Sequence, residues 1–383
     1  MPLITGKTVY ILGAGASHHT GIPLLGDFLF SARLLMESSN TLRYRQAFEL
    51  VFAWIDAMRG SSYYVELDLN NLEHIFSLAE MDRQINPGSN NDIVKELKYV
   101  VSETIDNACK LEFQGDQLPP DKVYGQFVNQ FEKLNKERMR AVSAREGSFD
   151  ADAIITFNYD VMLDNAIHYH SMKADYFLSP EPAARSVRRS VKLLKLHGST
   201  NWGQCQNGGG DKHALTILIP TPVGPGYVHF GQTENDLMPF KMATEILSNA
   251  QCQSCGQKSL EPFLVAPTWS KKIEDTPVTN VWKAAVAEIE DAFQLVVIGY
   301  SMPRTDTFFQ YLLTLGLARN PKLHRVVVVD IDSSEDFQTR YKKVFSRSLS
   351  DRGSLKFLVP PVKFQEFAER QMQVIGSRTE WSY

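Results

Sequence analysis

Ala153-Ile154-Ile155-Thr156-Phe157-Asn158-Tyr159-Asp160 is the stretch on which the reading of this chain turns. Its first four residues are apolar or β-branched and run into an Asn and an Asp, after which Val161, Met162, Leu163 and Ala166 resume at helical spacing. The pattern predicts a buried strand feeding a helix, with polar side chains at the turn between them. In an open parallel sheet, ligands bind outside the carboxyl ends of the strands, so Asn158 and Asp160 stand where a site is expected. The same residues also suit an Asx turn that caps the following helix, and on this stretch alone both readings stand.

Upstream, Val9-Tyr10-Ile11-Leu12 is an apolar run ending in Gly13-Ala14-Gly15-Ala16-Ser17. Glycines after a buried strand let the backbone turn tightly and bring N–H groups against a pyrophosphate. His18 occupies the place of the third glycine of the dinucleotide fingerprint, so a plain tight turn fits as well. A dehydrogenase would show a second strand and an acidic residue about 20 residues later. This chain instead turns helical over residues 24–145, with apolar residues spaced as in Leu72, Ile75, Phe76 and Ala79, or Phe127, Phe131 and Leu134. The interleaved Lys133, Lys136, Glu137, Arg138 and Arg140 read as a solvated helix face.

Downstream, Val191-Lys192-Leu193-Leu194-Lys195-Leu196 predicts a strand ending at His197-Gly198-Ser199. A histidine at a strand's carboxyl end is a candidate general base because its ordinary pKa lies near neutrality; a histidine tied to backbone at a turn is the alternative. Arg185, Arg188, Arg189, Lys192 and Lys195 lack interleaved aromatics and read as surface. Phe263-Leu264-Val265-Ala266-Pro267 and Leu295-Val296-Val297-Ile298 predict further strands of the resumed sheet, the second ending in Gly299-Tyr300-Ser301. The strand Val326-Val327-Val328-Val329 ends in Asp330, an acid placed either for a ribose hydroxyl or as a cap. Residues 204–259 read as a small module holding Cys252 and Cys255; Cys205 and His213 would complete a four-ligand zinc site, and reduced thiols are the alternative.

The expected fold class is α/β, a Rossmann-like parallel sheet with a large helical insertion and a small cysteine-containing module. Residues 1–30, 151–203 and 260–335 are assigned to the sheet, 31–150 to the insertion, 204–259 to the module and 336–383 to a tail without a usable motif. A length of 383 residues suits two to three such units. The formal charge of -4 gives no basic field, so nucleic acid is not indicated as a partner. The first residues lack a signal-peptide pattern and the apolar runs are too short to span a bilayer, so no membrane association and a cytoplasmic location are expected. Four cysteines, Cys109 among them, are few for a disulfide scaffold and fit a reducing compartment.

Taken in order, Gly13-Ala14-Gly15-Ala16-Ser17, Thr156-Phe157-Asn158-Tyr159-Asp160, Leu196-His197-Gly198-Ser199, Gly299-Tyr300-Ser301 and Val329-Asp330 resemble the sirtuin (Sir2) family. More closely they resemble its SIR2-like branch in bacterial anti-phage defence. The resemblance implies an NAD+ glycohydrolase that releases nicotinamide and depletes NAD+ in abortive infection. It implies that Gly13, Ala14, Gly15, Ala16 and Ser17 hold the pyrophosphate, and that Asn158 contacts the ribose and positions the nucleophile. His197 would act as base or ribose partner and Asp160 would face the nicotinamide pocket, while Gly299, Ser301 and Asp330 would line the adenosine half. Cys205 falls where a sirtuin has its first zinc cysteine, which bears on a structural zinc held with Cys252 and Cys255. A homo-oligomer and a HerA-type ATPase partner are also implied, with the insertion and tail as the natural surfaces.

Departures from the deacylating sirtuins concern the peptide groove. Phe157 and Tyr159 replace Gln and Ile, Leu24-Leu25-Gly26 intervene before Asp27-Phe28, and Gly208 stands three residues after Cys205 in place of a second cysteine. Phe230-Gly231-Gln232 precedes Cys252 and Cys255 instead of following the second pair. An NAD-dependent protein-lysine deacylase and a non-catalytic NAD or ADP-ribose sensing module are the alternative functions.

Overall fold

The computed structural model describes residues 6–61, 67–87, 92–112, 114, 117–144, 149–179, 190–207, 215–218, 242–248, 250–252, 254–256, 258, 260–266, 277–302, 307–351, 356–358 and 361–372. Among the described residues seven strands pair in parallel: β1 (Thr8–Leu12), β2 (Ala153–Thr156), β3 (Lys173–Asp175), β4 (Ser190–Lys195), β8 (Gln294–Ile298), β9 (Arg325–Val329) and β10 (Lys356–Leu358). Their order is β10-β9-β8-β1-β2-β4-β3. Every residue of β1, β2, β8 and β9 is buried, which is why their sequences are near-continuous apolar runs. From β1 the chain builds outward to β2 on one side and to β8 on the other, so the strand order switches there. Such a switch opens a crevice at the carboxyl ends of the strands.

Helices α1 (Phe28–Ser38), α2 (Arg45–Ser61), α3 (Leu72–Ile85), α4 (Ile93–Ala108) and α5 (Lys122–Ser143) fill the interval between β1 and β2. Asn71, Asp92 and Asp121 cap α3, α4 and α5 by accepting backbone N–H groups of the first turn, each worth about 1 kcal/mol. The insertion does not stand apart from the sheet. The ring of Tyr10 in β1 meets Phe127 and Phe131 of α5 edge-on, with centroids at 5.5 and 5.7 Å, and the buried side chains of both regions form one core. Further helices among the described residues are α6 (Met162–Tyr169), α7 (Met242–Ser248), α8 (Val278–Glu290), α9 (Thr307–Ala318), α10 (Glu335–Asp351) and the short α11 (Phe364–Glu366), which runs on into a π turn at Phe367–Gln371.

A second sheet is small and antiparallel, with β5 (Gly198–Cys205) between β6 (Thr216–Ile217) and β7 (Leu260–Leu264). This corrects one expectation: Phe263 and Leu264 pair with β5 and not with the parallel sheet. The reason lies at Gly198, whose φ of 81° turns the chain out of the line of β4. A Cβ there would stand 2.2 Å from the Phe263 carbonyl oxygen, so the glycine also admits the partner strand. At the opposite, amino edge of the parallel sheet, Arg138, expected on a solvated helix face, is instead buried and pairs with Asp152, and Lys7 pairs with Glu288. Among the described residues no helix is long and apolar enough to cross a membrane.

Candidate active site

Loops that follow β1, β2, β4, β8 and β9 converge on a cavity of about 730 Å³. That lies within the roughly 300–1,000 Å³ of ordinary small-molecule pockets. Ala14, Gly15 and Ser17 line it from the first loop, Asn158 and Asp160 from the second, then His197, Gly299, Ser301 and Asp330. Gly13 and Ala16 are buried behind this wall. Residues dispersed through the sequence thus share one sheet edge.

The glycine run folds as a 3₁₀ turn, Ala14–Ala16. The Gly13 amide donates to the Ile298 carbonyl at 2.9 Å and the Gly15 amide to that of Gly299 at 2.8 Å. Ala16 and Ser17 donate to Gly13 and Ala14. Four of the five amides in this run are therefore engaged within the protein. The glycines have a packing cause, since a Cβ on Gly13 would fall 2.7 Å from the Gly299 carbonyl oxygen. Gly299 itself has a φ of 58° and leaves no room for a side chain.

Asn158 is fixed by this turn. Its Nδ2 donates to the Gly13 carbonyl and to Ser17 Oγ, both at 3.0 Å, which uses both amide protons. The carboxamide oxygen is the group left for the cavity that Asn158 lines. Ser17 Oγ donates to Asp160 Oδ2 at 2.7 Å and lies 2.7 Å from the hydroxyl of Tyr124. Asp160 Oδ1 accepts the Met162 amide at 3.0 Å, so both carboxylate oxygens are engaged. Burial raises the Asp160 pKa above the ordinary carboxylate value, outweighing the charge of Lys195 and the bonds from Ser17 and Met162. Lys195, expected at the surface, is instead fully buried and donates to the Asp160 carbonyl at 2.6 Å and to Asp164 at 2.9 Å, tying β4 to the turn after β2.

His197 is buried between two aromatic rings, with Phe157 edge-on at 5.3 Å and Tyr159 at 5.9 Å. Phe157 stacks on Tyr300 at 5.2 Å, and the Tyr159 hydroxyl donates to the Val265 carbonyl at 2.7 Å. The rings around the histidine are held from both sheets. At the far end, Asp330 Oδ1 accepts the Asp332 amide at 3.0 Å, and burial raises its pKa. Ser301 is exposed at the rim.

Several residues at the cavity belong to none of the sequence motifs. Asn71 and Glu73 bring the first turn of α3 to the cavity, and Glu73 acts electrostatically on Tyr159. Tyr124 comes from α5. Val362, Lys363, Phe364 and Gln365 form a wall from the tail, where the Val362 amide bonds the Asp330 carbonyl at 3.1 Å. Phe364 packs edge-on against Tyr124, Phe127 and His19, and Phe367, Ala368 and Met372 are buried. This part of the tail, expected as a partner surface, belongs to the chain's own core. A polar residue in the first turn of a helix that opens on an aspartate cap was a signal available for Tyr124; the tail offered its apolar spacing alone.

Cys205, Cys252 and Cys255 place their Sγ atoms within 4.8 Å of one another, with Cys205 and Cys255 at 3.7 Å. Burial would raise the Cys252 pKa, but the amides of Cys255 and Ser254 and the neighbouring thiols favour the thiolate and bring it to about 6. Three converging sulfurs with one thiol poised to ionise fit the donor set of a structural zinc. His213, the fourth ligand expected from sequence, lies outside the described residues.

No family model matches the chain, and no curated protein matches it. Solved structures similar to it include Sir2 proteins. One is a Sir2 homologue variant in complex with 2'-O-acetyl ADP ribose, with 15% identity, 96% of this chain and 91% of that chain covered, and a TM-score of 0.42. Another is a Sir2 homologue variant in complex with ADP ribose, with 14% identity, coverage of 96% and 91%, and a TM-score of 0.40. A third is Sir2Tm bound to a propionylated peptide, with 14% identity, coverage of 97% and 93%, and a TM-score of 0.38.

Proposed function

We propose that the cavity binds NAD+ and that the chain hydrolyses it to nicotinamide and ADP-ribose. The observation that carries this reading is the locked carboxamide of Asn158, whose oxygen is left for the same cavity that His197 lines. An acceptor fixed in advance costs no reorganisation when charge develops on the ribose. As the bond between the anomeric carbon and nicotinamide breaks, its electron pair leaves with the ring nitrogen. Water then attacks the anomeric carbon and gives up a proton. Asn158 orients the ribose hydroxyl or the water, and His197 takes the proton. Asp330 suits the adenosine ribose at the opposite end. Because four amides of the glycine run are engaged internally, the phosphate oxygens fall to side chains on the same wall, the Lys363 ammonium among them. The sequence resemblance extends the reading to NAD+ depletion in anti-phage defence, with self-association or a HerA-type ATPase as partner.

The test incubates purified protein with NAD+ alone and follows nicotinamide and ADP-ribose by chromatography. Equal amounts of both products are expected without any peptide. Release that requires an acylated peptide would indicate a deacylase and end this reading. Phage challenge of cells expressing the chain, with and without a His197→Ala change, should show NAD+ loss in the unaltered chain only.

A further inference from the structure

We propose that Tyr124, supplied by the helical insertion, is the positioning residue that sets the orientation of the Asn158 carboxamide through Ser17. The inference rests on the reading of Asn158 as the group that orients the reacting ribose or water. It follows from counting protons in a closed cluster. Ser17 has one hydroxyl proton, donated to Asp160 Oδ2 at 2.7 Å. The Ser17 oxygen also accepts from Asn158 Nδ2 at 3.0 Å. The Tyr124 oxygen lies 2.7 Å from it, so the phenol must be the donor in that contact, and the phenol also touches the Asn158 amide directly. With its two acceptor positions filled and its proton committed, Ser17 has a single rotamer state. Asn158, which donates to Ser17 and to Gly13, then has one amide orientation, and a flip would set its oxygen against two acceptors.

Tyr124 is suited to hold that state. Its side chain is buried, and burial with the nearby Asp160 charge pushes the phenol well above the ordinary tyrosine value. It keeps its proton wherever the enzyme would work. The ring is fixed at 5.5 Å from Phe364 and 5.6 Å from His19, and the Asp121 cap bonds its backbone N–H. The insertion therefore completes the site, reaching over 107 positions of sequence to do so.

Tyr124→Phe removes one hydroxyl and leaves the ring contacts. The expected result is a fall in kcat for nicotinamide release on the order of tenfold to 100-fold, with KM for NAD+ changed less than about twofold and the melting curve nearly unmoved. In a double-mutant cycle with Ser17→Ala, the two losses should be less than additive, because both residues hold the same Asn158 carboxamide. Additive losses, or an unaltered kcat in Tyr124→Phe, would overturn the proposal. A readout independent of turnover is the side-chain amide NMR signal of Asn158, assigned by its loss in Asn158→Ala. It should shift and exchange faster in Tyr124→Phe. An unmoved signal refutes the positioning role. A shifted signal in a protein that never cleaves NAD+ sustains the positioning role and refutes the hydrolase reading instead.

Discussion

Gly15 donates its amide to the Gly299 carbonyl at 2.8 Å, and each glycine fills the space a side chain on the other would need. A Cβ on Gly299 would lie 2.2 Å from the Ala16 nitrogen and 2.5 Å from the Gly15 carbonyl carbon. Those are backbone atoms and cannot swing away. The left-handed φ of 58° adds strain of ~1–2 kcal/mol for any L side chain. Gly299→Ala should therefore lower stability by more than about 2 kcal/mol and weaken NAD+ binding, because relief requires separating the two turns that floor the cavity. Urea unfolding and calorimetric titration with NAD+ measure the two effects. A variant as stable as the parent would show that the turns slide apart at little cost.

At the reacting end, Asn158→Ala removes the group with its oxygen in the cavity. Turnover should fall on the order of 100-fold to 1,000-fold, the usual loss of a preorganised polar contact. His197→Ala should cost on the order of 100-fold or more if the histidine takes the proton. The two variants differ in pH behaviour. Asn158→Ala should keep the shape of the parent pH–rate profile, whereas His197→Ala should lose the limb set by the general base. Matching profiles for parent and His197→Ala would remove the histidine from acid–base work.

The sheet was legible in the sequence because parallel strands covered on both faces must be apolar throughout, as in Tyr10-Ile11-Leu12 and Val326-Val327-Val328-Val329. The polar residues that end those runs, Asn158, His197 and Asp330, marked one edge, and that edge holds the cavity. By contrast β5 reads Gly-Ser-Thr-Asn-Trp-Gly-Gln-Cys and has no apolar alternation. Its buried polar residues are paid for by specific bonds, Ser199 Oγ to the Tyr159 carbonyl at 3.1 Å and Asn201 Nδ2 to that of Leu218 at 3.0 Å. Such pairing is tertiary and leaves no local pattern. The same holds for Tyr124, Glu73 and Phe364, whose roles come from contacts across the chain and not from neighbours in sequence.

Asp160 links the site to stability against pH. Its folded pKa is raised by burial above the unfolded carboxylate value. A raised carboxylate binds its proton more tightly when folded, so its contribution is greatest below the unfolded pKa and is lost as pH rises through the folded one. Asp160→Asn cannot ionise. The stability of the parent relative to Asp160→Asn should therefore decline as pH increases from acid through the carboxylate range. Urea midpoints for both proteins from about pH 3.5 to 7 show the trend. A parent that gains on the variant with rising pH would mean that Lys195, Ser17 and Met162 outweigh burial.

The cysteine cluster predicts metal. Cys205 and Cys252 are buried, and their sulfurs gather with that of Cys255 at the end of β5, where the small sheet has only a modest apolar core around Ile246 and Leu260. Thin cores of this kind gain folding energy from a bound zinc. Purified chain should carry about one zinc, and Cys252→Ser should lose it. A strong chelator should lower the melting temperature of the parent and leave Cys252→Ser unchanged. Because His197 adjoins Gly198 at the start of β5, metal loss should also reduce turnover while the nucleotide end keeps its affinity. A metal-free parent with full thermal stability would assign the three sulfurs to reduced thiols.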